Sequence, residues 1–283
     1  MKIFDVSEAQ YYCNNYSATT GKCQNSIRIY CHEELRGVHI LKEGTAKFNE
    51  YRDCSLRNVE RCLFLAASLY KSSHRLMSAS SSSWTYVTLY YGAFYSASAL
   101  LGMFGIWIDA PYIGVEVTRG NINSQELTIH RKKTLKTMTT YNGTHRMFWD
   151  LFYKAVRSLH AWVDPSLRFV IMPVSGSPSW QPDRRNEINY DSFRALTLDR
   201  EFKLKFKFKQ FPTTLPGILN TQFKITESLT LLAFKFAKDF GLNTDALDVL
   251  MPSGTRGDKI EKLIFNSRIR VAIEASKKAH IIS

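Results

Sequence analysis

The chain has 283 residues, 45% of them hydrophobic, enough to build a sizeable core in one large domain or two small ones. Its 38 Lys and Arg outnumber 25 Asp and Glu, a net charge of +13 that suits RNA or DNA ahead of a membrane surface, or else a plain solvated basic surface. The opening MKIFDVSEAQ has no apolar leader core and the cysteines are odd in number (Cys13, Cys23, Cys31, Cys54, Cys62), so secretion is not expected and reduced thiols in a cytoplasm are.

Residues 1–57 are poorly periodic and read as an N-terminal extension or small subdomain, with a short strand at 27–30. Cys23, Cys31, His32 and His39 lie here without the CxxC knuckle of zinc sites, so no metal is expected. From 58 to 80, Val59, Leu63, Ala66, Ala67, Tyr70 and Leu76 recur at helical spacing, and a serine run then marks a break. The segment WTYVTLYYGAFYSASALLGMFGIWI (84–108) carries no charge. Its length would span a bilayer, but tyrosines and hydroxyls through its middle suit lipid poorly. A central core helix, and no membrane span, is expected.

Residues 109–140 hold two alternating runs, IGVEVT and ELTIH, and read as a β-hairpin inserted between helices. Its basic tail, with Arg131, Lys132 and Lys133, reads as a phosphate contact or a solvated loop. A helix is predicted over 144–162, then a Pro/Ser/Gly-rich loop over 164–182. In EFKLKFKFKQF (201–211) phenylalanines and leucine alternate with Lys203, Lys205, Lys207 and Lys209. The pattern predicts a strand, either an edge strand guarded by lysines or a basic ribbon along a phosphate backbone. A helix over 216–239 ends at Gly241, and a last one covers 258–278. The fold class expected is therefore mainly α: residues 58–283 form one helical domain carrying the hairpin.

Between loop and strand lies QPDRRNEINYDSF (181–193). Pro182 can precede a helix, and Asp183 is a natural N-cap, which would put Arg184, Arg185 and Asn186 in the first turn. Cations there oppose the helix dipole, which argues for another purpose. Free backbone N–H groups with two guanidinium forks would clamp a phosphate. Asn186 and Tyr190, four apart, share a face with Arg185 at its edge. The plain alternative is a decorated surface helix with Tyr190 in the core.

The segment YYGAFYSASALL (90–101) resembles the second core helix of the HEPN superfamily, the higher eukaryotes and prokaryotes nucleotide-binding domain. The signature of that family is an arginine, a polar residue, often Asn, and a histidine four to six positions on. Arg185-Asn186 matches its first half; Tyr190 stands where the histidine would be, and Asn189-Tyr190 is similar to the Asp-Tyr ending of some branches. The resemblance covers mainly 58 to about 200. It implies an antiparallel helical bundle that dimerises, with two motifs facing across the twofold axis. It further implies a metal-independent endoribonuclease of the toxin or antiphage-defence kind, needing no cofactor, or a non-catalytic module binding RNA or a nucleotide. An antitoxin or other regulatory partner would accompany a toxin.

Such cleavage uses the ribose 2′-OH as nucleophile. Arg185, with Arg184 beside it, would hold the developing charge on phosphorus, and Asn186 would orient the phosphate. Tyr190 would donate to the leaving oxygen, although a phenol is a weak base near neutrality. Asn189, Arg131, Lys132, Lys133, Lys203, Lys205 and Lys207 are the further RNA-binding candidates. His145 and His160, on the preceding helix, read first as structural histidines and second as substitutes for the absent one.

Overall fold

The charge-free stretch forms the centre of the molecule, with buried side chains on every side of its helical part. The computed structural model describes residues 1–17, 26–79, 81–120, 124–163, 165–205 and 217–244. In chain order these form α1 (Val6–Asn14), α2 (Ile27–Glu33), β1 (Ile40–Lys42), α3 (Ala46–Ser78), α4 (Ser82–Met103), β2 (Trp107–Asp109), β3 (Ile113–Arg119), β4 (Gln125–Arg131), α5 (Lys132–Met138), α6 (Thr144–Val156), α7 (Trp180–Tyr190), α8 (Ser192–Lys205) and α9 (Gly217–Asp239). The fold is mainly helical with one small antiparallel sheet. No described helix is long and apolar enough to cross a membrane.

α4 packs against α3 on one side and α9 on the other. Small residues let the backbones close: Gly102 faces Val59 of α3, and Gly92 faces Thr226 of α9. Ser96 Oγ and Thr230 Oγ1 hydrogen-bond at 2.9 Å, and Thr226 donates to the Leu89 carbonyl at 2.9 Å. These hydroxyls also satisfy carbonyls of their own helices, so the polar groups of the core cost little. The first turn of α4 has no cap from Ser81; Asp199 of α8 takes that role, accepting from Ser83 N at 2.9 Å. α9 ends as the sequence predicts: Gly241 adopts φ +71°, and Leu242 N–H returns to the Ala237 carbonyl.

α3 begins at Ala46, well before the periodicity predicts. Thr45 caps it, accepting from Phe48 N. Its early buried face uses Phe48, Tyr51, Asp53, Cys54 and Ser55, a mixture that masks the aliphatic repeat.

The sheet order is β1-β4-β3-β2. Val115 pairs with Ile129 and Val117 with Leu127, all buried, so one face joins the helical core. The predicted hairpin is thus present, widened by β1 and β2, and its basic tail is no loop: Arg131 ends β4, and Lys132 and Lys133 open α5. Residues 144–162 are α-helical only to Val156; a 3₁₀ segment follows.

The 27–30 stretch is helical, a correction to the strand prediction. Ile27, Tyr30 and Cys31 are buried at helical spacing, and Ser26 caps the turn. Ile3, Val6, Ala9, Tyr12 and Cys13 lie in the same hydrophobic cluster as α3, α4 and α9. Residues 201–205 are also helical, not a strand. They extend α8, whose start is set by Asp191 accepting from Phe193 N and Arg194 N. The division of faces inferred for Lys203 and Lys205 does not carry over. Lys207, Lys209 and the predicted 258–278 helix lie outside the described residues.

Candidate functional site

α7 starts at Trp180, upstream of the predicted cap. Pro182 fits in its first turn, where a missing N–H costs nothing. Asp183 is therefore inside the helix, with its own N–H bonded to Ser179 O at 2.9 Å and its carboxylate paired to Arg146 Nε at 2.6 Å. Arg184 and Arg185 lie beyond the free N–H groups, so the expected joint clamp of helix end and guanidinium does not form.

The two arginines part company. Arg184 donates to Glu187 Oε2 at 2.6 Å on a half-exposed face, a pair that cancels charge and adds little stability. Arg185 shares the buried stripe of α7 with Gln181 and Ile188 and is 6% exposed. Its guanidinium carbon stands 5.4 Å from the ring centres of both Tyr90 and Tyr91 on α4. Nη2 donates to Tyr91 Oη at 3.1 Å and Nη1 to Asn186 Oδ1 at 2.7 Å. Nε is buried with no partner among the described residues.

Beside it lies His145 of α6, with Nδ1 at 2.8 Å from Tyr90 Oη. Trp149 Nε1 donates to the same phenol at 3.2 Å. Indole only donates, so the phenol hydrogen is free for Nδ1, which assigns the neutral imidazole proton to Nε2. Burial, and then the positive charge of Arg185, push His145 down to about 4, so it is neutral near pH 7. A second polar chain runs from α6 through α7 to α9: Gln181 Nε2 donates to Tyr153 Oη at 3.0 Å, and Gln222 Nε2 to Gln181 Oε1 at 3.1 Å. Tyr86 Oη and Gln222 Oε1 are buried without partners among the described residues. A guanidinium, a neutral imidazole, two phenols and an amide thus converge where α4, α6 and α7 meet. Arg185 and Asn186 are the predicted residues that this contact brings together. Such a set can hold an anion and pass a proton at a neighbouring oxygen.

Tyr190 is the last residue of α7 and is 76% exposed; Asn189 beside it is also exposed. Among the described residues neither side chain has a hydrogen bond or ring contact with Arg185, and both are exposed to solvent. Arg131 donates to the Leu35 and Val38 carbonyls and so ties the N-terminal segment to the sheet. Lys132 stands 5.7 Å above the Tyr112 ring, and Lys133 is exposed. Among the described residues, no hydrogen bond, ion pair or ring contact joins these three to α7. His160 is exposed on the 3₁₀ segment. Tyr90 and Tyr91 escaped the sequence reading as site residues; their adjacency in YYGAFYSASALL was the available signal. Among the described residues no group of three His, Cys, Asp or Glu side chains could hold a metal ion. No protein-family model, no curated protein and no solved structure matches the chain.

Proposed function

We propose that the chain is a HEPN-type, metal-independent endoribonuclease, a toxin or antiphage-defence effector, with a site closed across a homodimer. The observation that carries this reading is the Arg185 guanidinium, buried on Tyr90 and Tyr91 with Nε unpartnered, beside a neutral imidazole. Arg185 cannot deprotonate and offers a fork of donors to a phosphodiester. His145, rather than Tyr190, is the base beside it; its lone pair, on Nδ1, faces the Tyr90 hydroxyl, so a proton would reach it through that phenol. A bound phosphate would offset the charge of Arg185 and remove one cause of His145's low basicity, so substrate itself would bring the imidazole toward a useful range. The 2′-hydroxyl then gives its proton to the Tyr90–His145 pair and attacks phosphorus; the bond to the 5′-oxygen breaks and that oxygen takes a proton from the pair or from water, leaving a 2′,3′-cyclic phosphate and a 5′-hydroxyl. Tyr190, outward on the last turn of α7, would act only on RNA or on the site of a second copy.

A second reading, a non-catalytic module binding RNA or a nucleotide, is favoured by the bonds that already occupy both terminal nitrogens of Arg185. Incubation of the purified chain with total RNA in EDTA separates the two. Cleavage that disappears in Arg185→Ala supports the nuclease; salt-sensitive binding without cleavage supports the module. A chain that neither binds nor cuts RNA ends both readings.

A further inference from the structure

A cleft lined by neither Arg185 nor His145 is left unused by the catalytic reading. Phe94 packs on His145 at 5.3 Å between ring centres and on Phe148 at 4.4 Å. Together with Tyr95, Trp107, Ser98 and Asn58 these phenylalanines line a cavity of about 160 Å³. Asn58, Tyr95, Ser98 and Trp107 are half-buried, so the cavity opens at a rim. It is smaller than the roughly 300–1,000 Å³ that holds a drug-sized molecule, so it admits a ring rather than a whole nucleotide. Phe94 and Phe148 offer water no hydrogen bond on their side of it. One amide does face it. Among the described residues the only side-chain bond of Asn58 is a long donation to Cys62 Sγ at 3.6 Å, which leaves its carbonyl and a second N–H for a ligand edge.

We propose that this cleft binds one flat heteroaromatic ring, a nucleobase, stacked among Phe94, Tyr95 and Trp107 with its polar edge on Asn58. Stacking accepts any base, while an amide that both donates and accepts selects among them. The choice of a nucleobase among flat rings rests on the RNA-directed reading above; the cleft itself does not.

Calorimetric titration of the full chain with adenosine, guanosine, cytidine and uridine tests the assignment. The expected result is saturable binding of at least one nucleoside with Kd of about 1 mM or tighter. Trp107→Ala weakens it roughly 10-fold, and Ser98→Trp, which fills the cleft, abolishes it, both with wild-type circular dichroism and melting. Should Ser98→Trp unfold, Asn58→Leu decides: loss of discrimination among the four supports the proposal, and an unchanged ranking overturns it. No saturation by any nucleoside, or binding indifferent to Ser98→Trp, also overturns it. RNA binding or cleavage without nucleoside binding removes the cleft and leaves the RNA-directed reading standing. Nucleoside binding by a chain inert toward RNA supports the cleft and removes that reading.

Discussion

Arg185 lies over two phenol rings and bonds a third group, so its loss is felt in both stability and chemistry. Arg185→Ala is expected to cost about 1–2 kcal/mol in urea unfolding, the scale of a desolvated cation–π contact. If the nuclease reading holds, it also lowers cleavage by at least about 100-fold, as loss of a charge-stabilising donor does. Arg185→Lys keeps the charge but not the fork, and is expected to recover stability more than cleavage. His145 reports the same geometry by NMR: its titration midpoint is expected near 4, and higher in Arg185→Ala, yet still below 6.5 because burial is the larger cause. A wild-type midpoint at 6.5 would remove the guanidinium from its side. Between about 4 and 6.5 the folded chain binds fewer protons at His145 than the unfolded one. The stability this represents is therefore lost as pH falls through that window.

The packed helices carry a second titrating pair, at the α3–α9 contact. Tyr70 Oη donates to Glu227 Oε1 at 2.8 Å, and burial raises Glu227 to about 7; burial alone pushes nearby His74 down to about 4. Glu227 has the opposite sign to the histidines. Its contribution is complete below about 4.5 and is lost as pH rises through about 7. Glu227→Gln should therefore remove this downward contribution to the melting temperature between about pH 4.5 and 7 while leaving the profile below about pH 4 unchanged. A Cβ on Gly102 of α4 would stand 2.5 Å from Val59 Cγ2, so Gly102→Ala should cost about 1–3 kcal/mol through overpacking. Elements with local signals were legible in the sequence: the charge-free α4, and α9 with its Gly241 stop. α2 was not, because Ile27 and Tyr30 are β-formers made helical by what they pack against. The 201–205 stretch misled because its alternation is local while α8 is nucleated upstream. At the site, Arg185 and Asn186 were legible as residue types. The inward turn of Arg185 and the outward turn of Tyr190 were not, since a helix starting at Trp180 rather than after Asp183 changes which positions face α4.

Across the whole molecule the +13 charge makes any RNA complex salt-sensitive. If six or more phosphates are contacted, affinity should fall about 1,000-fold or more between 50 and 200 mM salt, as read by filter binding. Removing residues 1–45 would strip α1, α2 and β1, uncover the core beneath Tyr12 and Tyr30, and leave β4 a bare edge. Loss of cooperative unfolding in that deletion is the expected outcome. The central helix also has a history on the ribosome. α4 is made early and bears no charge, yet α9, one of the two helices that pack most closely on it, begins only at Gly217. Until that partner emerges, the nascent chain carries an apolar rod with an uncovered flank, the kind of surface that aggregates. A chain halted before residue 240 is thus an adhesive fragment rather than a smaller working protein.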